Sequence, residues 1–385
     1  MYLIISRLAR SASILATLAT LSLLAACSSS PSEEGRDNST GSIVTTSPGA
    51  GIHPVTPPEP SSPPRMTPGA WRQVPGWARE DPTSAWSAFR SSCLALASKP
   101  KWRSVCSASQ RVDPLDNVAI KRFFEDHFTP YQLTNSNGST SGTITGYYEP
   151  ELQGSLTRHG AYQTPLYAKP ANVSRWRLNR PRAQLLSSGV LAGHELVWVN
   201  DPVEAAYLQI QGSGLVKLDN GKAMRLGFAD TNNQSFRSFA RWLIDHHEIT
   251  YAQATLPGIR AWAKRNPARV EQMLNSNPRY VYFRELTLED VDDKSGPIGA
   301  LGVPLTPERS IAIDPSRVPL GAPVFLATTH PGTGAPIQRL MMAQDTGSAI
   351  KGAVRADFFW GRGDTAGEIA GKTKQRGQMW VLEPK

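Results

Sequence analysis

The sequence predicts a mainly β protein with flanking helices, organised as barrel-type sheets with one domain inserted into another. Short β-rich runs bounded by Gly, Pro or Asn recur at similar intervals from residue 143 to 227 and again from 280 to 382. Strands that are so short and so evenly spaced are typical of barrels and not of an open parallel sheet. Helical patterns precede and separate the two β-rich regions, which favours the nesting of one domain within another.

The N-terminus has the pattern of an export signal. Arg7 and Arg10 precede an apolar run that is shorter than a bilayer span, so a transmembrane helix is the less favoured alternative. The ending Leu-Ala-Ala-Cys resembles a lipoprotein processing site, which predicts a signal peptide over 1–26 and an acylated Cys27. Because Ser28 and not Asp follows, by resemblance to lipoprotein sorting rules we expect binding to outer-membrane lipid on the periplasmic face.

A tether is predicted next, followed by the folded region. Residues 27–69 are dense in Ser, Pro, Gly and Thr and cannot bury enough apolar surface to fold, so we expect a disordered spacer. Folding is expected to begin near Trp71. Helical periodicity with capping or proline signals predicts helices at 83–97, 113–128 (with Asp113 as cap), 235–248, 257–264, 267–274 and 366–371. β-branched and aromatic runs predict strands at 143–147, 195–199, 215–218, 224–228, 280–285, 310–313, 323–327, 340–343 and 378–382.

Cysteine content and charge restrict the function further. In an oxidising compartment Cys93 and Cys106 are expected to form a disulfide, the alternative being two free buried thiols. No metal site and no cofactor are expected. The formal net charge of +9 suits anionic partners such as acidic lipid or wall carboxylates, whereas nucleic acid is not an expected partner of an exported chain.

Three aspartates in the last third of the chain are candidates for acid/base chemistry. Asp314, Asp345 and Asp357 each follow an apolar, strand-like run. A carboxyl group bordered by apolar side chains loses hydration, which raises its pKa and lets it hold a proton near neutral pH. Asp357, in Ala-Asp-Phe-Phe-Trp, has the most apolar neighbours and is the best general-acid candidate. The alternative is that these aspartates cap turns and accept backbone hydrogen bonds.

Two motifs near these aspartates suggest other chemistry but are incomplete. Asp345-Thr346-Gly347 is the aspartic-protease triplet, yet that mechanism needs two such carboxylates and the chain has one copy. Ser348 and Lys351 fit S-x-x-K, but the K-T-G companion of penicillin-interacting enzymes is absent from the sequence. Neither motif therefore supports a function.

Five stretches share one family pattern. In order they are 146–150 (GYYEP), 207–214 (YLQIQGSG), 277–283 (NPRYVYF), 312–321 (AIDPSRVPLG), and 344–352 (QDTGSAIKG) followed by Asp357. Together they resemble the membrane-bound lytic murein transglycosylase A family, with its C-terminal three-aspartate domain. Glu149 stands where some members have Thr, which leaves open whether one carboxylate or two act.

The resemblance implies a fold and a site. It implies a catalytic double-psi β-barrel domain, predicted over 70–149 and 233–385, and a smaller inserted β domain at 150–232, with a glycan groove between them. It also implies that Asp357 is the catalyst. Asp345 is expected to support it and Asp314 to be structural. Glycan-binding side chains are expected at Tyr148, Glu149, Gln209, Gln211, Ser213 and Trp360, the alternative being barrel packing and turn hydrogen bonds.

The expected activity is cleavage of the bond between N-acetylmuramic acid and N-acetylglucosamine in peptidoglycan, with formation of a 1,6-anhydro ring. A muramidase that admits water and a non-catalytic wall-binding outer-membrane lipoprotein are the alternatives. Glycan strands are the expected partner, and proteins of wall synthesis or division are further candidates. An internal hydroxyl held near the reacting carbon supplies its own effective molarity, so one acid/base group can suffice.

Overall fold

The computed structural model describes residues 65–286 and 296–385. The predicted signal peptide, Cys27 and most of the predicted tether lie outside the described residues. In chain order the strands are β1 (Arg65–Pro68), β2 (Phe128–Thr134), β3 (Gly142–Glu149), β4 (Glu151–Ser155), β5 (Thr164–Tyr167), β6 (Glu195–Val199), β7 (Gly214–Leu218), β8 (Ala223–Thr231), β9 (Val281–Leu286), β10 (Ser310–Ile313), β11 (Pro323–Thr329), β12 (Pro336–Thr346), β13 (Arg355–Arg362) and β14 (Lys374–Pro384). The helices are α1 (Thr83–Leu96), α2 (Pro100–Ser109), α3 (Asn117–His127), α4 (Arg175–Leu178), α5 (Arg182–Ser187), α6 (Pro202–Gln211), α7 (Phe239–Asp245), α8 (Leu256–Arg265), α9 (Val270–Asn275) and α10 (Gly363–Lys372).

The N-terminal helices α1 and α3 pack on each other through aromatic side chains. Trp86 and Phe89 of α1 contact Phe124 of α3 with ring centroids 5.9 and 5.2 Å apart. The helix predicted from 113 begins later, because the carboxylate of Asp116 accepts the backbone N–H groups that open α3. Asp113 caps a preceding turn instead, so its predicted role was wrong.

The N-terminal region also contains a disulfide, a helix that was not predicted and a strand within the predicted tether. Cys93 and Cys106 are bonded to each other and join α1 to α2, a helix that the sequence patterns did not indicate. Strand β1 pairs antiparallel with β2, so the predicted tether over 27–69 extends too far at its C-terminal end. The residues of β1 have the composition of the tether, but their backbone groups form hydrogen bonds with β2, and these hold them in the sheet.

Six strands close into the predicted barrel. In spatial order they are β3, β13, β10, β12, β11 and β14, and β14 pairs with both β11 and β3, which closes the ring. The pairs β10–β12 and β13–β3 are parallel and the other four are antiparallel. Closure leaves no free edge within this ring, and the apolar faces of its strands fill the interior.

A second, six-stranded sheet follows directly from the barrel. Strand β3 ends at Glu149 and β4 begins at Glu151, so the chain passes from one sheet to the other across a single proline. The strand order is β5, β6, β4, β7, β8, β9. The predicted domain boundary at residue 232 misplaces β9, because this strand returns after three helices to pair with β8.

Helix α6 lies in a region for which only strands were predicted. Asp201 caps it by accepting the N–H groups of Val203 and Glu204, and Gly212 ends it in a left-handed conformation. Helices α7, α8 and α9 bury apolar residues in the same cluster as the barrel core. Within the described ranges, no helix has the length and apolar character needed to cross a membrane.

Candidate active site

Four residues form a row across one face of the barrel. Asp345 on β12 is paired with Ala312 on β10, which is paired with Asp357 on β13, which is paired with Thr145 on β3. Side chains of directly paired residues point to the same face of a sheet. Adjacent strands are about 4.8 Å apart, so the α-carbons of the two aspartates are separated by about 10 Å. The register therefore brings both predicted carboxylates, with Thr145, to one face.

Asp357 has the environment of a general acid. It lies within β13 and not after a strand, and it is partly exposed. Burial raises its pKa to about 6, and the charge of Asp345 adds to this, while Thr145 and Arg355 oppose it. The Thr145 hydroxyl donates a hydrogen bond of 2.5 Å to Oδ1 of Asp357. A carboxyl group with this pKa is protonated in about one molecule in ten at pH 7.

Asp345 and Tyr147 lie near Asp357 and Thr145, and the four residues form one polar cluster. Burial raises the pKa of Asp345, while the backbone N–H groups of Thr346 and Ala300 and the nearby Tyr147 hydroxyl lower it. The Ala300 N–H donates to Oδ1 of Asp345 at 3.0 Å. Burial and the two carboxylates hold the pKa of Tyr147 well above its ordinary value, so its hydroxyl remains protonated. Tyr147 is thus a neutral donor close to both aspartates.

A groove runs past this polar cluster, between the second sheet and the barrel. Its volume is about 630 Å3, and one wall comes from the end of α6 with β8 and β9. The other wall consists of residues 298–300, Gly302 and residues 345–349. Asp345 lines the groove, whereas Asp357 is not among its lining residues and lies two strands away from Asp345. The aspartate row thus begins at the groove wall and continues along the barrel face.

The groove contains three of the predicted glycan-binding residues and two aromatic residues that were not predicted. Gln209, Gln211 and Ser213 line it, and the Gln211 amide also fixes the backbone of β3 by accepting the N–H of Tyr148. Phe228 and Phe236 line the same groove and are 51% and 45% exposed. Exposed rings in a polar groove are suited to stacking on sugar faces.

The other predicted binding residues are not on the groove. Glu149 is fully buried, and its carboxylate lies 3.3 Å from Nε of Arg225 and 2.7 Å from Nε of Arg362. This pairing offsets the cost of burying the charge, so the Glu149 carboxylate is enclosed by the two arginines and does not line the groove.

Tyr148 and Trp360 are likewise core residues and do not line the groove. Tyr148 is 5% exposed and packs so closely on α10 that a β-carbon on Gly367 would lie 2.8 Å from its ring. Trp360 is 8% exposed and donates its ring N–H to Thr373 at 2.9 Å. Alternation along β3 and β13 places these side chains on the face opposite to that of Thr145 and Asp357.

Asp314 has the environment of a turn residue. Its carboxylate accepts the hydroxyl and backbone N–H of Ser316 and the backbone N–H of Gly352. Burial would raise the pKa of Asp314, but these hydrogen bonds and the charge of Lys351 lower it. In the part of the chain that the structure describes, no group of three or more His, Cys, Asp or Glu residues could hold a metal ion.

Known proteins share both the sequence and this fold. The family model described as "MltA specific insert domain" matches residues 143–284, and the "3D domain" model matches 309–383. Membrane-bound lytic murein transglycosylase A of Escherichia coli K12 is 30% identical over 260 residues, which cover 66% of this chain and 68% of the relative.

Two solved structures align over nearly their whole length. The lytic transglycosylase LtgG of Burkholderia pseudomallei is 53% identical, with 84% of this chain and 98% of that chain covered and a TM-score of 0.63. MltA of Neisseria gonorrhoeae is 36% identical, with 85% and 98% covered and a TM-score of 0.74. The predicted combination of a barrel domain and a smaller inserted domain is thereby confirmed.

Proposed function

This chain belongs to the membrane-bound lytic murein transglycosylase A family, and we propose that it cleaves peptidoglycan glycan with Asp357 as its single acid/base catalyst. The observation that supports this assignment most directly is the aspartate row, in which Asp345 lines the groove of about 630 Å3 and Asp357, two strands away, has a pKa of about 6. Compared with an ordinary aspartate of pKa 3.8, the protonated fraction at neutral pH is larger by roughly two orders of magnitude.

The reaction requires one proton to leave Asp357 and one to return. Protonated Asp357 donates to the oxygen between N-acetylmuramic acid and N-acetylglucosamine, and the C1–O bond breaks as positive charge develops on the muramic ring. The resulting carboxylate then accepts the proton of the ring's own C6 hydroxyl. The C6 oxygen attacks C1 and closes a 1,6-anhydro ring, so no water is consumed and the carboxyl group is restored.

We propose that Asp345 and Tyr147 influence the protonation state of Asp357 and do not themselves react with the substrate. The negative charge of Asp345 favours the protonated form of Asp357, which is the form needed for the first step. The Tyr147 hydroxyl stabilises carboxylate charge that appears after proton donation, because it is a fixed neutral donor in a poorly hydrated site. Asp314 is proposed to be structural.

Glycan binding is proposed for the groove. Gln209, Gln211 and Ser213 offer amides and a hydroxyl to sugar hydroxyl and acetamido groups, and Phe228 and Phe236 offer ring faces. Because β3 leads directly into the second sheet and β9 returns from it, we further infer that this sheet belongs to an inserted domain that forms one wall of the groove.

The decisive experiment is to digest purified murein and weigh the soluble fragments. We expect muropeptides that are one water lighter than hydrolysis products, and no release by Asp357→Asn. The control is Asp364→Asn, which makes the same change at an aspartate whose side chain is 80% exposed. Fragments with the added water would indicate a muramidase, and undiminished release by Asp357→Asn would indicate that this residue is not the catalyst.

Attachment to the outer membrane through lipid on Cys27 is also proposed, on the strength of the sequence ending Leu-Ala-Ala-Cys and the membrane-bound family. Cys27→Ala should abolish incorporation of labelled palmitate and release the protein from the envelope fraction. Acylation that persists in this variant would contradict the anchor.

A further inference from the structure

A second cavity adjoins α6 and shares the side chain of Gln209 with the groove. Its volume is about 340 Å3, within the range of small-molecule sites. Most of its wall is apolar and comes from β5, α5, α6 and α9, with Pro165, Leu186, Ala205, Val270 and Leu274 among the lining residues. The cavity is therefore suited to a small group with aliphatic character.

One cation lies in this apolar wall. Arg182 is 6% exposed, and its guanidinium lies over the Tyr280 ring, 5.1 Å from the centroid. Nη2 donates to Oε1 of Gln209, while Nε is buried and has no hydrogen-bond partner among the described residues. An unsatisfied donor on a buried charged group is unfavourable, because the donor has lost its hydrogen bonds to water.

Arg182 also lacks a counter-ion in the part of the chain that the structure describes. The buried Arg225, by contrast, is paired with the carboxylate of Glu149. Glu271, the acidic residue of the cavity wall, is exposed and forms no ion pair with Arg182. A buried guanidinium that faces a mostly apolar cavity and is not paired with a carboxylate matches the chemistry of a receptor for a carboxylate ligand.

We propose that this cavity binds the terminal carboxylate of a small aliphatic peptide residue, presented by the stem peptides of the murein substrate. Arg182 supplies the charge-assisted hydrogen bond, and the apolar wall accepts the alanine methyl groups. The inference rests on the proposed function, because that function brings stem peptides to the protein. Gln209 lines both the cavity and the glycan groove, so the two sites share one side chain.

The first test uses two ligands that differ only in charge. N-acetyl-D-alanyl-D-alanine and its C-terminal amide are titrated into the purified protein by calorimetry at neutral pH and low salt. We expect the acid to bind saturably and the amide to bind at least about tenfold more weakly, because a hydrogen bond to a charged group is lost. Equal affinities, or no saturable binding of the acid at millimolar concentrations, would overturn the proposal.

Variants then assign the charge recognition to one residue. Arg182→Gln should abolish the difference in affinity between the acid and the amide ligand. Arg180→Gln is the matched control, since Arg180 lines neither cavity and stacks on the exposed Trp176 ring at 5.5 Å. Loss of the difference in both variants would refute the assignment to Arg182. If Arg182→Gln does not fold, the affinities of the unmodified protein for the acid and the amide still decide whether it recognises the carboxylate.

A kinetic comparison separates this inference from the proposed function. The ratio of kcat/KM on peptide-bearing glycan to kcat/KM on amidase-stripped glycan should fall in Arg182→Gln and stay constant in Arg180→Gln. Equal slowing on both substrates would mean that Arg182 acts structurally and would defeat the inference. Asp357→Asn reports on the proposed function independently, because it should abolish cleavage of both substrates.

Discussion

Replacing Asp357 with asparagine should stabilise the protein at neutral pH while it abolishes the activity. The carboxyl group has a pKa of about 6 in the folded protein against an ordinary value of 3.8. Unfolding therefore releases a proton between these two values, and rising pH favours the unfolded state there. A pKa that differs by one between the folded and unfolded states corresponds to about 1.4 kcal/mol, so the ionised carboxylate costs about 3 kcal/mol above pH 6. Asparagine has no charge to bury and should recover most of that free energy.

The assay is equilibrium unfolding of wild type and Asp357→Asn at about pH 7.5 and again near pH 3.5. We expect the variant to be more stable at the higher pH, by up to about 3 kcal/mol, and the two proteins to converge at the lower pH, where the carboxyl group is largely protonated in both the folded and the unfolded state. Equal stability at pH 7.5, or a difference that does not change with pH, would refute a poorly hydrated catalytic carboxyl group.

Asp314→Asn is the control of opposite sign. The pKa of Asp314 is lowered by the hydrogen bonds from Gly352 and Ser316, although burial opposes this. Its ionised form therefore stabilises the fold above the unfolded pKa, and that contribution is lost as the pH falls. The asparagine variant should be less stable than wild type at pH 7.5 by about 1–3 kcal/mol, because a buried donor loses a charged acceptor. Stabilisation at both positions would mean that the effect is not specific to Asp357.

Further predictions concern the pH profile and the disulfide. The value of kcat/KM should fall tenfold per pH unit above about pH 6, as Asp357 loses its proton. Thr145→Val should move this limb to higher pH by about one unit, because the carboxylate loses its hydrogen bond. Asp345→Asn should move this limb of the pH profile to lower pH by up to about one unit, since a charge about 10 Å away from Asp357 is removed. Initial rates from pH 5 to 8 check the two variants. Shifts in the same direction for both would contradict the proposed environment of Asp357. Replacing Cys93 and Cys106 with serine should lower the unfolding free energy by about 3 kcal/mol in denaturant titrations, and an unchanged midpoint would contradict a stabilising bridge.

Local sequence patterns were sufficient for most elements and for the identity of the proposed catalyst. Strands 195–199 and 310–313 were predicted with their observed bounds, because β-branched and aromatic runs ended by turn residues are read within a few positions. The same local argument selected Asp357 from its apolar neighbours, and the structure gives that residue a raised pKa. Residues two positions apart in a strand share a face, so Phe359 lies on the same face of β13 as Asp357 and this part of the inference did not need the fold.

The amino-acid order alone was thus enough for most elements, the family pattern and the candidate aspartates. The packed fold was needed to establish that Thr145, 212 residues away, bonds to Asp357, that β9 returns to the second sheet, and that Glu149 is buried between two arginines. The physical reason is that strand partners and burial depend on which distant segments meet when the barrel closes, and closure is a property of the whole chain. Periodicity and propensity act over a few residues, whereas the register that aligns Asp345, Asp357 and Thr145 is fixed by contacts across the ring.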